Sequence, residues 1–305
     1  MKVNIACLQM ASQPYDWDYN IEKVTVMITE AAKNGSIICL LPEVFIPGYS
    51  HTDENFKQAE YLNGPTVSTM ESLAKQLNIY ISGSFIEKTH KEFYNTMFLI
   101  GPKGLLGTYR KIHVYSLEQK YWKPGKNVAI VDTEFGSIGM GICADMLYPK
   151  LWRQYAGNVD LILISSAWPG KPTGTNLSYA KHMYGQLGRT LPVQISEALK
   201  VPTAYCNACH PCIGELPLGF GKVTCQGFSK IADKGKILAS IDSGEEKIIQ
   251  ATIEISEERP TIDPSRFKNW IKFPFREKVQ KFLVEKVVLI YAKLYYRRHK
   301  KKFLD

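Results

Sequence analysis

No run among these 305 residues reaches the eighteen or so consecutive apolar positions that a membrane-spanning helix needs. No signal-peptide core with a small-residue cleavage site opens the chain, so neither export nor membrane insertion is expected. Repeats at a fixed period and low-complexity tracts are also missing, which argues against a solenoid or a disordered linker. Net charge is scarce over most of the length. The formal charge is +9, but from Lys272 onward there are eleven basic residues against three acidic ones, which leaves only +1 for the first 271 residues. This describes a nearly neutral body with a basic tail and excludes a uniformly basic nucleic-acid binder. The seven cysteines show no disulfide framework: Cys7, Cys39, Cys143 and Cys225 lie in apolar, strand-like contexts, as reduced thiols of a cytoplasmic protein do.

Hydrophobic residues at 45% and charged residues at 22% are ordinary for a folded enzyme-sized chain. The patterns favour one large α/β domain over residues 1–260 and a C-terminal extension over 261–305. Strands are predicted at Val3–Met10, Ile37–Leu41, Ile79–Glu87, Asn95–Gly101, Leu105–Arg110, Val128–Asp132, Ile138–Cys143, Asp160–Ser165 and Pro202–Asn207. Helical spacing is found at Asn20–Ala32, Thr66–Gln76, Met146–Tyr155, Leu177–Leu187 and Val193–Ala198. The stretch from Gly221 to Ile255 reads as late antiparallel strands. There are too many strands for one simple doubly wound sheet.

Three polar residues of different chemistry stand where such strands give way to loops. Glu43 follows the short apolar run Ile37–Leu41, Lys111 ends the strand Leu105–Arg110, and Cys143 ends a strand whose alternate glycines let other backbone come close. A thiol at a strand-to-helix turn can project into a cleft, with free N–H groups of the turn facing a developing anion. A lone buried cysteine is ordinarily structural. Carboxylate, amine and thiol together are a kit for acyl transfer: the carboxylate takes the thiol proton, the sulfur attacks an amide or nitrile carbon, and the ammonium steadies the resulting charge.

The segments LPEVFIPGY, YRKIHVY followed by YWKPG, and GMGICADMLYPKLWR, with the late FSKIADKGKILAS, resemble the nitrilase superfamily of carbon–nitrogen hydrolases over about Val3–Ile255. The resemblance implies an α/β fold, a four-layer αββα sandwich, here with a C-terminal amphipathic basic helix, and pairing with a second subunit. It implies Glu43 as general base, Lys111 as oxyanion stabiliser, Cys143 as thioester-forming nucleophile and Glu118 as the glutamate that positions the lysine. The Ala144 N–H would complete the oxyanion site, and Tyr49, Tyr148 and Trp168 are expected to line the pocket. His113 is expected to pack, and Asp145 to cap the following helix. Two departures from the family pattern, Ala144 after the nucleophile and Tyr148-Pro149-Lys150 beyond it, bear on substrate identity.

The implied activity is hydrolysis of a linear, non-peptide amide without metal or organic cofactor. Transfer of the acyl group to an amine, including a lipid-like one, and a non-catalytic scaffold are the alternatives. CNACHPC at Cys206–Cys212 reads as structural cysteines before a metal or haem site. In the tail, Phe275, Val279, Phe282, Leu283, Val287, Ile290, Leu294 and Tyr295 recur at helical spacing before RRHKKK. That stripe must bury against the protein's own body, a sister subunit, or an anionic membrane at the inner face of the cell.

Overall fold

Alternation in β1 (Lys2–Gln9) divides the molecule into its layers: Val3, Ile5 and Cys7 face one hydrophobic core, Ala6 and Leu8 another. The computed structural model describes residues 1–304 except 171–172, 175–177, 179–181, 210–212 and 216–221. Its helices are α1 (Trp17–Lys33), α2 (Glu54–Lys57), α3 (Pro65–Leu77), α4 (Pro149–Tyr155), α5 (Gly188–Leu199) and α6 (Phe275–His299). After β1 come β2 (Ile38–Leu40), β3 (Tyr80–Lys88), β4 (Phe93–Gly101), β5 (Gly104–Arg110), β6 (Ile130–Thr133) and β7 (Gly136–Ile142). The later strands are β8 (Leu161–Ser166), β9 (Thr203–Asn207), β10 (Ile213–Glu215), β11 (Lys222–Thr224), β12 (Lys230–Asp233), β13 (Lys236–Ser240) and β14 (Lys247–Glu254).

Two six-stranded mixed sheets result, in the orders β14-β1-β2-β3-β4-β5 and β13-β12-β9-β8-β7-β6. Each has three parallel strands (β1-β2-β3, and β7-β8-β9) flanked by antiparallel ones. The sheets meet through Ile5, Leu40, Met97 and Leu99 on one side and Ile138, Met140, Ile142 and Leu163 on the other. The apolar faces of α1 and α3 cover the outside of the first sheet, and α4 and α5 cover the second. This is the expected αββα sandwich, two sheets face to face with helices packed on the outside of each; β10 and β11 form a separate two-stranded sheet.

Several local expectations need correcting. The glycines of β7 admit rings, not backbone: a Cβ on Gly141 would lie 2.6 Å from Cη2 of the buried Trp152, and one on Gly139 would lie 3.0 Å from Cδ1 of Tyr155. Gly141→Ala is therefore expected to cost about 1–3 kcal/mol by overpacking, measured as a lower urea midpoint with unchanged slope. The helix predicted from Met146 is broken. A 3-10 turn spans Cys143–Leu147 and α4 starts only at Pro149, whose ring fixes a first helical turn and denies a longer one. Asp145 sits inside that turn and reaches back to the Ile142 N–H at 3.0 Å, so it is not the N-cap of α4, a place held by Tyr148. Part of the predicted helix Leu177–Leu187 lies outside the described residues, and Met183–Leu187 forms a π-helical turn leading into α5. Cys225 is disulfide-bonded, against the expectation of reduced thiols throughout; spacing in sequence does not reveal which cysteines a fold brings together.

The C-terminal helix is where predicted, but of its apolar stripe only Tyr295 docks, with its hydroxyl on Asp53 and its ring against Tyr121. Phe275, Val279, Phe282, Leu283, Val287, Ile290 and Leu294 are exposed, while the face against the body carries Glu277, Val288, Ala292 and Tyr296. Small and hydrogen-bonding side chains make that docked face. The Tyr296 hydroxyl donates to Glu92 at 2.7 Å and accepts from the Phe93 N–H, and Trp270, just before the helix, donates to the Met146 carbonyl at 2.7 Å. Among the described residues no helix is long and apolar enough to cross a membrane.

Candidate active site

Three strands end at one place. β2 runs into Glu43, β5 into Lys111 and β7 into Cys143, so the carboxyl ends of strands from both sheets converge. Lys111 is fully buried and is flanked by two carboxylates: Nζ donates to Glu43 Oε1 at 2.7 Å and to both oxygens of Glu118 at 2.8 Å. Its backbone is fixed as well, the N–H bonding to the Asn95 carbonyl and its own carbonyl accepting from Gly125. Glu118 is presented by a 3-10 turn, Ser116–Lys120, and is held by the Tyr115 N–H at 2.8 Å and the Tyr49 hydroxyl at 2.7 Å. The neighbouring Lys120 ammonium lies over the ring of Tyr295.

Backbone strain marks both reactive ends. Cys143 has φ +45° and Val44, next to Glu43, has φ +48°. A branched residue in that region is a genuine outlier, and such strain persists only where surrounding contacts over-determine it. At Val44 the N–H donates to Ser84 Oγ at 2.8 Å. At Cys143 the restraint is Asp145, whose carboxylate is fully buried and accepts from the Tyr109 hydroxyl, the Ile142 N–H and the His113 N–H. His113 adds its Nδ1 at 2.8 Å and stacks on Tyr148, ring centres 3.8 Å apart. The nucleophile turn and the residues after Lys111 are thus tied by one buried acid.

Electrostatics set the resting proton positions. Burial disfavours the Lys111 ammonium, but Glu118 and Glu43 outweigh it and raise its pKa above that of an ordinary lysine. Burial pushes Glu43 up, Lys111 pulling only part of the way back. For Cys143 burial again dominates and Glu43 adds to it, so the thiol is raised well above its usual value despite Lys111. The resting sulfur keeps its proton. His51, whose ring nitrogen lies 3.3 Å from the Tyr49 hydroxyl, is lowered by burial to about 4. A histidine kept neutral in the fold but titrating near 6.5 when unfolded contributes stability above that pH, and the contribution is lost as pH falls toward 4. His51→Gln is therefore expected to flatten the acid limb of stability between pH 6.5 and 4, read by denaturant titration at both ends.

The expected pocket residues divide. Ala144 is buried on the 3-10 turn directly after Cys143, where leading N–H groups lack partners within the turn. Trp168 is buried in the same hydrophobic cluster as Cys143, with its N–H bonded to Asn207 Oδ1 at 2.7 Å and its ring against Gly188. Tyr49 spends its hydroxyl on Glu118. Tyr148 borders a cavity of about 370 Å³ shared with Leu147, Met183, Trp270, Phe273 and Lys281.

Sequence reasoning missed Asn95, buried near the start of β4, which donates to Glu43 Oε1 at 2.7 Å. It also missed the Ala167 N–H, which donates to Glu43 Oε2 at 2.8 Å. The one available signal was a lone amide inside the apolar run FYNTMFLIG. Cys206 and Cys209 are buried free thiols, while His210 and Cys212 of that cluster lie outside the described residues. Among the described residues no group of three His, Cys, Asp or Glu is placed to hold a metal ion.

The chain resembles known proteins in sequence and in fold. A probable nitrilase of Schizosaccharomyces pombe is 28% identical over 270 residues, 85% of this chain and 92% of its own. The N-carbamoylputrescine amidase of Solanum tuberosum is 28% identical over 84% of this chain and 87% of its own. A solved mutant of the amidase from Nesterenkonia sp. AN1, with the acetamide moiety of fluoroacetamide added covalently at its active-site cysteine, superposes with a TM-score of 0.68. It is 19% identical and covers 82% of this chain and 90% of its own. The carbon-nitrogen hydrolase family model matches residues 4–263, and with it the chain belongs to the carbon-nitrogen hydrolase family.

Proposed function

We propose that the protein hydrolyses the amide bond of a small linear substrate through a thioester on Cys143. The observation that carries this reading is the single buried ammonium clasped by two carboxylates beside a strained, protonated thiol. The amidase and nitrilase names of the relatives support an amide as substrate and water as acceptor.

Glu43 takes the Sγ proton as the sulfur attacks the carbonyl carbon. Neutralised by that proton, Glu43 loosens its hold on Lys111. The ammonium, still anchored by Glu118, can then donate to the new oxyanion together with the Ala144 N–H. The tetrahedral species collapses, the carbon–nitrogen bond breaks, and the amine leaves with the proton from Glu43. Glu43, again a carboxylate, takes a proton from water as it attacks the thioester. The acid is released and the thiol re-forms. Asn95 and the Ala167 N–H hold the Glu43 carboxylate in place throughout, and Tyr49 with the Tyr115 N–H does the same for Glu118.

Fluoroacetamide tests the nucleophile. The intact protein is expected to gain one acetamide moiety on the peptide that contains Cys143, seen by mass spectrometry, and a Cys143→Ala variant to gain none. Modification spread evenly over the other thiols would defeat the assignment. Release of ammonia from simple amides, with and without added amines, then separates hydrolysis from acyl transfer: formation of new amides at the expense of acid would replace water by an amine as the acceptor.

A further inference from the structure

We propose that the outward face of α6 is a docking surface for an anionic lipid bilayer, on which the helix lies flat. This goes beyond the hydrolase reading and does not depend on it. The 25 residues of α6 form a rod about 37 Å long at the usual rise per residue. At 100° per residue, Val279, Phe282, Leu283, Val287, Ile290 and Leu294 share the side opposite Val288, Ala292 and Tyr296. The first six are 42% to 62% exposed, and the last three at most 4%. The helix therefore has two apolar faces, of which the body covers one.

Charge says what covers the other. Arg276, Lys278, Lys286, Lys293, Arg297 and Arg298 are all exposed, and Lys301 and Lys302 follow the helix, also exposed. Lys286, Lys293 and Arg297 fall within the arc of the apolar residues, between Phe282 and Ile290, and Arg298 lies at its far edge. Neither carboxylate of α6 lies among the outward apolar residues: Glu277 pairs with His182 of the body at 2.8 Å, and Glu285 pairs with Lys281 one turn earlier on the same helix. The outward face thus offers apolar side chains and cations but no acid of its own. A second copy is a poor occupant: two such faces brought together by a two-fold axis would oppose cation to cation, with no carboxylate of the helix to relieve it. An anionic bilayer satisfies both features, taking the apolar residues below the headgroups while the long basic side chains reach up to phosphates. Tyr291, 52% exposed beside the basic end, suits the same interfacial depth.

The test is co-sedimentation of the full chain with vesicles of phosphatidylcholine alone and of phosphatidylcholine with roughly a third phosphatidylserine. Binding to the anionic vesicles is expected to be at least tenfold tighter, and to weaken several-fold in high salt. Phe282→Ser with Ile290→Ser, and separately Lys286→Glu with Lys293→Glu, are each expected to lower binding at least tenfold. These residues are exposed, so the variants should keep the wild-type circular dichroism. Equal binding to neutral vesicles, or binding that both variants leave unchanged, overturns the proposal. So does a self-association that the Ser pair abolishes, seen by light scattering without vesicle binding, which would assign the face to a second copy.

Discussion

Replacing Lys111 with methionine is expected to remove about 3–5 kcal/mol of stability at neutral pH, because the carboxylates of Glu43 and Glu118 are then buried without their shared cation. The pair as it stands is no large net gain over an apolar core, since desolvating three charges offsets most of their attraction. The damage comes from leaving two like charges in place. Without the ammonium, the Glu43 carboxyl that burial already pushes up would rise further above its unfolded value. Acids so raised contribute stability below about pH 4.5 and lose it as pH climbs. Lys111→Met should accordingly recover part of its lost stability on acidification, and to a greater degree than the wild type, whose Glu43 Lys111 still pulls down. Adding Glu118→Gln should restore some of the rest at pH 7, and the double-mutant cycle measures how much. A variant as stable as the wild type at pH 7 would mean that the clasp is absent in solution.

Cys143→Ala is expected to lower amide hydrolysis by about 10⁴-fold or more, since no other group present can form the acyl-enzyme. Its effect on stability runs differently. The residue sits in the left-handed region, where a side chain is strained, and burial keeps its proton on rather than leaving it in an ion pair. Alanine should leave stability within about 1 kcal/mol of wild type, and Cys143→Gly should raise it by roughly 1 kcal/mol through relief of that strain. Denaturant midpoints of the two variants beside their turnover would show a fold that becomes sturdier as it becomes idle. The turnover result is the one on which the nucleophile assignment stands.

Glu43, Lys111 and Cys143 stood out in the sequence through the order of the three segments that carry them, because each one alone, at the end of a strand, reads as readily as a surface charge or a structural cysteine. The layer arrangement followed from family resemblance more than from pattern. Pairing of β1 with β14, some 240 residues away, has no local trace. Asn95 was hidden for the same reason: its use depends on where β4 sits beside the loop after β2, which is a matter of register. In α6 a count of apolar positions found the wrong side of the helix. The docked face is built from Ala292, Val288, a tyrosine with two hydrogen bonds and partnered charges, none of which raises a hydrophobic pattern. The break after Cys143 was foreshadowed only by Pro149, since the residues around it keep helical spacing.

Two carboxylates around a single ammonium also govern how a turnover ends. An amide enters with no charge at its reacting carbon, whereas the acid formed from it is ionised at neutral pH and becomes a third anion beside Glu43 and Glu118. Only one cation is there to hold it. The spent molecule is therefore repelled from the spot that had attracted its precursor, and the imbalance of sign clears the enzyme for the next substrate without any part of the chain having to move.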